Sequence, residues 1–403
     1  MQTTQPSVAL VYDHLITSHG GAEYVLESLW ELFPQLELFT TVYDPTVATW
    51  ARHIPIHTSF LQWALPLMKI RELLDICTPI AIEQFDLSKF DIVISVTSSA
   101  VKGVITHPKQ LHICYLLTPT RYLYHDSKAL LTSHPIASLP GIKQIAASIF
   151  TYLRWWDQVA IHRPDAIIAI SQHVSSRIST FYDVTANEII YPPVPTYTHA
   201  ELSKKNLFAN PYYLVISRLM PYKRIDLAID AAIELKTSLV IIGEGREMKR
   251  LIEHAAAHAC VRKPRESLAE FLESVQKQQT AYSICFVGNC TTAEKAQLLT
   301  HCELVIQPGI EDFGITAIEA VFCGKPVVIS HESGVAELLE DGVTAIHLSE
   351  QSTPAVVTAI QKAKSLSINK KTISDSIQMY SAQAFGEKFS KFLFAFKQEH
   401  STI

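Results

Sequence analysis

The sequence predicts an α/β protein of two doubly wound, Rossmann-like domains, and three observations carry that expectation. Short Val- and Ile-rich runs recur along the chain and alternate with stretches of helical periodicity, the order of parallel sheets packed between helices. The runs are continuous rather than alternating, as in strands buried on both faces. The repeat breaks once, at Tyr191-Pro192-Pro193-Val194-Pro195. Three prolines in four residues neither continue a helix nor fit a central strand. At about 150 residues per domain, the 403 residues suit two domains, and the boundaries read as 1–198 and 199–379.

Taken in order, strand-like runs of the first half lie at 8–12, 36–43, 91–97, 112–117 and 166–171. Those of the second half lie at 212–217, 238–243, 284–288, 304–307 and 326–330, with helical periodicity at 225–235 and 317–323. Two segments stand apart. Residues 254–282 are polar and lack a strand run, and read as an extra surface helix or lid, with disorder the second choice. Residues 60–82 are apolar but carry Lys69, Arg71, Glu72 and Asp75. They read either as an amphipathic helix touching a membrane or as an ordinary domain helix interrupted at Pro66.

Composition narrows the function. Hydrophobic residues make up 48% and charged residues 18%, below the usual charged share of about 25%, which excludes a disordered chain. A net charge of −5 argues against bulk nucleic-acid binding. The seven cysteines include no CxxC pair, and the apolar run at 8–12 is cut off by Asp13. These features predict reduced thiols in a cytoplasmic protein without an export signal. There is no Asp-x-Asp, GxSxG or HExxH, and no glutamate stands between His254 and His258, so no metal site is expected.

The sharpest chemical signal is the segment from Gln307 to Ala320, in which seven residues separate Glu311 from Glu319 and Gly314 lies between them. It follows a strand run and opens a helix, whose free N–H groups favour an anionic or oxygen-rich ligand. Eight helical steps span roughly 12 Å, beyond the about 5–9.5 Å separating a glycosidase's carboxylates. The spacing suits two contacts on one extended ligand, or else a plain helix start with an exposed Glu319. Arg218 and Lys223 follow the run at 212–217 and could neutralise a diphosphate; the alternative is a solvated basic turn, the reading favoured for Arg224. Gly20 and Gly21 follow the first run, in Ser18-His19-Gly20-Gly21-Ala22-Glu23. They form a phosphate-cradling turn or a tight strand–helix connection, without the Walker lysine.

Together these residues resemble the family-4 retaining glycosyltransferases of the GT-B fold, over nearly the whole chain. The glycine turn, Arg218 and Lys223, Gly243-Glu244-Gly245, Phe286-Val287-Gly288 and the Glu311/Glu319 pair stand in the family's order. Thr118-Pro119-Thr120-Arg121-Tyr122-Leu123 and Tyr191-Pro192-Pro193-Val194 resemble a mannosyltransferase-like branch of bacterial surface polysaccharide synthesis. The resemblance implies a C-terminal domain that binds a nucleotide-sugar, GDP-mannose favoured, and needs no further cofactor. It gives Arg218 and Lys223 to the diphosphate and Glu311 to the sugar hydroxyls. Phe313, Gly314 and Ile315 supply amides, Glu319 meets the ribose, Gly243 and Glu244 border the donor, and Val287, Gly288 and Asn289 border the base. It brings Gly20 and Gly21 to the diphosphate from the other domain. The acceptor side falls to His14, Arg121 and His125. The implied acceptor is a glycan or polyprenyl-linked oligosaccharide, met in the cytoplasm or at the inner membrane face. A final helix, about 380–403, is expected to return to the first domain.

Leu117 stands where many relatives carry a histidine beside the reacting sugar. That departure keeps a second reading, a catalytically silent scaffold binding nucleotide-sugar or a partner transferase. A GT-B nucleotide-sugar epimerase is a third, but no dedicated set of groups for ring deprotonation is seen.

Overall fold

The computed structural model describes residues 6–17, 20–70, 75–124, 142–197, 206–208, 210–278, 280–366, 368 and 378–400. The chain divides into two compact units, Met1–Pro193 with Ala382–Ile403, and Val194–Ser381. Each contains one seven-stranded parallel sheet, the doubly wound class expected.

The first sheet is built from β1 (Val8–Tyr12), β2 (Glu37–Thr40), β3 (Ile56–Thr58), β4 (Ile92–Thr97), β5 (Leu111–Leu116), β6 (Ala166–Ala169) and β7 (Glu188–Ile189). Its order is β3-β2-β1-β4-β5-β6-β7, so the winding reverses between β1 and β4. All six β4 residues are buried, Ser95 and Thr97 among them, as in a strand covered on both faces. The helices of this unit are α1 (Gly21–Leu32), α2 (Thr78–Glu83), α3 (Arg121–Tyr124), α4 (Ile142–Ala160) and α5 (Gln172–Tyr182). α5 starts where Ser171 Oγ accepts the Val174 amide at 3.0 Å, satisfying a donor that the first turn leaves unpaired. The last helix, Ala382–His400, belongs here too. Its Phe385 and Phe389 are buried, and Phe385 packs edge-on against Tyr115 at 5.7 Å between centroids.

The second sheet holds β8 (Tyr212–Ile216), β9 (Ser238–Ile242), β10 (Ala259–Val261), β11 (Ile284–Gly288), β12 (Leu304–Gln307), β13 (Val327–Ser330) and β14 (Ala345–Leu348). The order is β10-β11-β9-β8-β12-β13-β14, and the winding reverses between β8 and β12. Its helices are α6 (Ile225–Glu234), α7 (Met248–Ala255), α8 (Leu268–Lys277), α9 (Thr292–His301), α10 (Ile315–Phe322) and α11 (Thr353–Ala363). Capping boxes open α8 and α9, Ser267 with Glu270 and Thr291 with Glu294. The core joins Tyr213, Val215, Leu239 and Ile241 of the sheet to Ile229 and Ala232 of α6 and Ile360 of α11.

Two local expectations are corrected. Residues 254–282 are not strandless: β10 pairs with β11 at the sheet edge, Cys260 opposite Cys285, and α8 follows. Three residues flanked by polar chain carry too little pattern to announce a strand. Residues 60–82 do not form one amphipathic α-helix. A 3₁₀ segment, Phe60–Ile70, runs through Pro66; residues 71–74 lie outside those described, and α2 is separate. Among the described residues no helix is long and apolar enough to cross a membrane.

Candidate active site

In a doubly wound sheet, ligands bind outside the C-terminal strand ends where the winding reverses. In the second unit that point lies between β8 and β12. The two strands pair only at Leu304 with Tyr213 and Val305 with Leu214, whereas β8 and β9 pair over five residues. The β8–β12 ladder therefore ends before the strands' C-terminal ends, where this sheet class places its ligand crevice. Gln307 ends β12 there, buried, with Oε1 unpartnered among the described residues.

The residues singled out from the sequence gather around this opening. After β8 the chain makes a one-turn 3₁₀ segment, Pro221–Lys223. The Lys223 Nζ pairs with a Glu311 carboxylate oxygen, and both side chains are largely withdrawn from water, at 11% and 15% exposure. The loop after β12 is pressed onto that turn at Gly309. A Cβ there would sit 2.5 Å from the Tyr222 carbonyl oxygen and 2.6 Å from Lys223 Cα, so only glycine allows the approach. β13 supplies the other wall. Ser333 Oγ accepts the Glu311 amide at 3.0 Å, and the Gly334 amide donates to the Glu311 carbonyl at 2.9 Å. Three strand ends thus hold Glu311. Arg218 is exposed, with Nη2 3.5 Å from the Tyr222 hydroxyl. Arg224 is not a loose surface cation: it caps α6 in the left-handed region (φ 49°) and pairs with Asp226 at 3.2 Å.

The neighbouring loops close in similarly. Gly243 (φ 128°) follows β9, and a Cβ there would lie 2.0 Å from the Ser217 carbonyl oxygen. Its amide donates to Gly288 O at 2.9 Å, and Glu244 O accepts from the Leu219 amide at 2.9 Å. Val287 is buried, while the Glu244 and Asn289 side chains are exposed. Phe313 is buried, and Gly314 begins α10, with Ile315 as its first residue. Glu319, in the second turn, is not the exposed helix residue of the plain-helix alternative but 1% exposed. Its Oε1 accepts from Lys295 Nζ of α9 at 2.7 Å and from the Tyr197 hydroxyl at 2.9 Å.

The acceptor-side candidates sit at the same end of the first sheet. His14 follows β1, and Arg121 begins α3; His125 lies outside the described residues. Gly20 precedes α1 and Gly21 opens it, and the Glu23 carboxylate lies against them: Oε2 would be 2.9 Å from a Cβ at Gly20, and Oε1 accepts from Thr17 Oγ1 at 2.5 Å. The positive end of α1 therefore already faces a buried carboxylate. At the β1/β4 reversal, Asp13 accepts from Thr97 Oγ1 (2.8 Å) and from the amides of Ser98, Ala100 and Val101 (2.8–3.2 Å). Behind the Thr118-Pro119-Thr120 loop lies a buried ion pair, Lys102 with Asp157 at 2.5 Å. Thr120 Oγ1 and the Tyr124 hydroxyl donate to Asp157 at 2.8 and 3.0 Å, and Arg177 Nη1 donates to Thr118 Oγ1 at 3.0 Å.

Asp13, Lys102, Asp157, Tyr197 and Lys295 carry no motif, and sequence reading passed over them. For Asp13, Lys102 and Asp157 a charge inside an apolar stretch was the signal available; Tyr197 and Lys295 offered none. Among the described residues no three His, Cys, Asp or Glu side chains converge in a way that could hold a metal ion.

The family model for glycosyl transferases group 1 matches residues 210–365, the stretch that contains Arg218, Lys223, Glu311 and Glu319. The chain carries a glycosyl transferases group 1 domain. An uncharacterized glycosyltransferase of Methanocaldococcus jannaschii, MJ1178, is 23% identical over 205 residues, 50% of each chain. A GDP-mannose-dependent α-(1-6)-phosphatidylinositol monomannoside mannosyltransferase of Mycolicibacterium smegmatis is 26% identical over 252 residues, 56% of this chain and 62% of that one. The chain thus spans about half to three-fifths of the length of these relatives. In solved structures, HepE of Anabaena, crystallised with UDP, aligns with a TM-score of 0.61 at 17% identity, over 96% of this chain and 100% of that one. At that identity the likeness speaks for the fold, and the fold is GT-B, with the group 1 domain as its C-terminal unit.

Proposed function

We propose that the protein is a retaining glycosyltransferase that moves a hexose from a nucleotide-sugar, GDP-mannose favoured, to a glycan or polyprenyl-linked acceptor without a metal. One observation carries the reading: the Lys223–Glu311 pair at the β8/β12 reversal, pinned by the close contact at Gly309. A buried-edge cation beside a carboxylate there suits a ligand with a diphosphate and a hydroxyl-rich ring. Breaking the sugar–phosphate bond leaves an oxocarbenium-like sugar and adds charge to the diphosphate. Lys223, held by Glu311, and the amides opening α10 are donors for that charge, joined by the exposed Arg218, and lower the barrier electrostatically. Glu311 orients the sugar through its hydroxyls and holds Lys223, and Glu319 takes the ribose. Val287, Gly288 and Asn289, with Gly243 and Glu244, border the nucleoside. The departing phosphate oxygen accepts the acceptor's proton on the same face, so configuration is retained and no general base is required of the protein.

The GDP-mannose preference draws on the name of the mycobacterial relative, while HepE was crystallised with UDP. Phe60 and Trp63, exposed at 43% and 69%, support presentation of the acceptor at a membrane face. His14 and Arg121 are assigned to the acceptor.

A thermal-shift panel of GDP-, UDP- and ADP-sugars tests the donor. A ligand at 100 times its Kd should stabilise the protein by about 2.7 kcal/mol; no shift with any of them removes the reading. Lys223→Ala and Glu311→Ala should each lower transfer by orders of magnitude with the fold retained, and near wild-type turnover in either would refute the assignment. Donor hydrolysis without acceptor separates an active enzyme from the silent scaffold that Leu117 suggests.

A further inference from the structure

Glu319 is the least exposed carboxylate near the crevice, and its partners are asymmetric. Oε1 accepts from two donors, the Lys295 ammonium at 2.7 Å and the Tyr197 hydroxyl at 2.9 Å. A carboxylate oxygen has about two acceptor sites, so Oε1 is saturated. No described residue donates to Oε2. The two partners also support each other, with Lys295 Nζ 5.7 Å from the centre of the Tyr197 ring. Lys295 projects from α9, Tyr197 stands two residues beyond Pro195, and Glu319 lies in α10. Two separate segments therefore converge on one oxygen of a third.

A carboxylate taken out of water needs a counter-charge. Lys295, itself 19% exposed, supplies it from one side only. That fixes the carboxylate's rotation and leaves Oε2 as the acceptor for an incoming hydroxyl. We propose that Lys295, assisted by Tyr197, is a positioning residue that makes Glu319 selective for a ribose. The inference rests on the reading of Glu319 as the ribose contact. Removing Lys295 would leave the acidic side chain in place but free to turn, and its preference for a ribose hydroxyl would fall.

The test pairs protein variants with ligand variants. Calorimetry on the full chain uses whichever of GDP, UDP or ADP binds the wild type most tightly, beside its 2′-deoxy and 3′-deoxy forms. The wild type should prefer the ribonucleotide over at least one deoxy form by about tenfold or more, the scale of a hydrogen bond to a charged group. Glu319→Gln should bring that ratio near one. Lys295→Met should do the same while changing affinity for the deoxy ligand little. Tyr197→Phe should reduce the ratio partially, and Lys295→Arg, which keeps the charge, should retain most of it. A general structural defect would weaken ribo- and deoxy-ligands alike and leave the ratio unchanged. If Glu319→Gln loses the ratio and Lys295→Met or Tyr197→Phe, whichever remains folded, keeps it in full, the inference is wrong while the ribose reading stands. If Glu319→Gln keeps the ratio, or no nucleoside diphosphate binds, the ribose reading itself falls and takes the inference with it.

Discussion

Lys102 and Asp157 are the most demanding pair in the first unit, at 0% and 2% exposure with their charges 2.5 Å apart. Lys102→Met would leave the Asp157 carboxylate buried against neutral hydroxyls, those of Thr120 and Tyr124 among them. Asp157→Asn would leave an ammonium bound to the Ser99 carbonyl and the Thr120 hydroxyl. Stranding one charge of a buried pair costs about 3–5 kcal/mol, whereas exchanging both for apolar groups is often near neutral. Each single variant should therefore lose about 3–5 kcal/mol, and Lys102→Met with Asp157→Leu should lose much less than the sum of the singles. All five tryptophans (30, 50, 63, 155 and 156) lie in the first unit, so urea unfolding followed by tryptophan fluorescence reports that unit. With a slope of about 2–3 kcal/mol/M, each single should lower the midpoint by about 1–2 M. Single losses below about 1 kcal/mol, or an additive double variant, would refute the argument that each charge is held by the other.

Two further outcomes follow from the same geometry. His112 is fully buried, its Nε2 2.9 Å from Ser95 Oγ, and desolvation lowers its pKa to about 3, with Arg163 adding to the effect. Below the unfolded value near 6.5 the unfolded chain gains a proton that the folded chain refuses, so this stability is complete above pH 6.5 and is lost as pH falls toward 3. The loss should reach about 2 kcal/mol at pH 5. Tryptophan-monitored urea midpoints at pH 7.5 and 5 should separate more for the wild type than for His112→Gln; equal separations would assign the acid sensitivity elsewhere. Gly309→Ala would press a methyl onto the Tyr222 carbonyl and the Lys223 backbone. Such overpacking costs about 1–3 kcal/mol and should weaken nucleotide binding through displacement of Lys223. Unchanged affinity would show that the turn is not fixed by this contact.

The ten strand runs read from the sequence all correspond to strands, with ends moved by a few residues. The four that escaped notice, β3, β7, β10 and β14, are the four edges of the two sheets. An edge strand is covered on fewer sides and is short: β7 has two residues, β3 and β10 three, and β14 is interrupted by His347. A continuous apolar run is the signature of a strand covered on both faces, and these strands have no need of one. The site divides in a similar way. Arg218, Lys223 and Glu311 stood out as candidates because they follow strand runs, where a doubly wound chain presents its ligand groups, and Glu319 because it lies in the helix that opens after Glu311.

By itself the sequence determined the class of the two sheets and the order of their buried strands along the chain. Burial on both faces forces apolar runs, and parallel crossovers force helices between them. The tertiary structure alone decided which charges meet. Lys223 stands 88 residues from Glu311, Lys102 55 from Asp157 and Tyr197 122 from Glu319. A pairing across such separations is set by strand order and register, and neither leaves a local mark on composition or period.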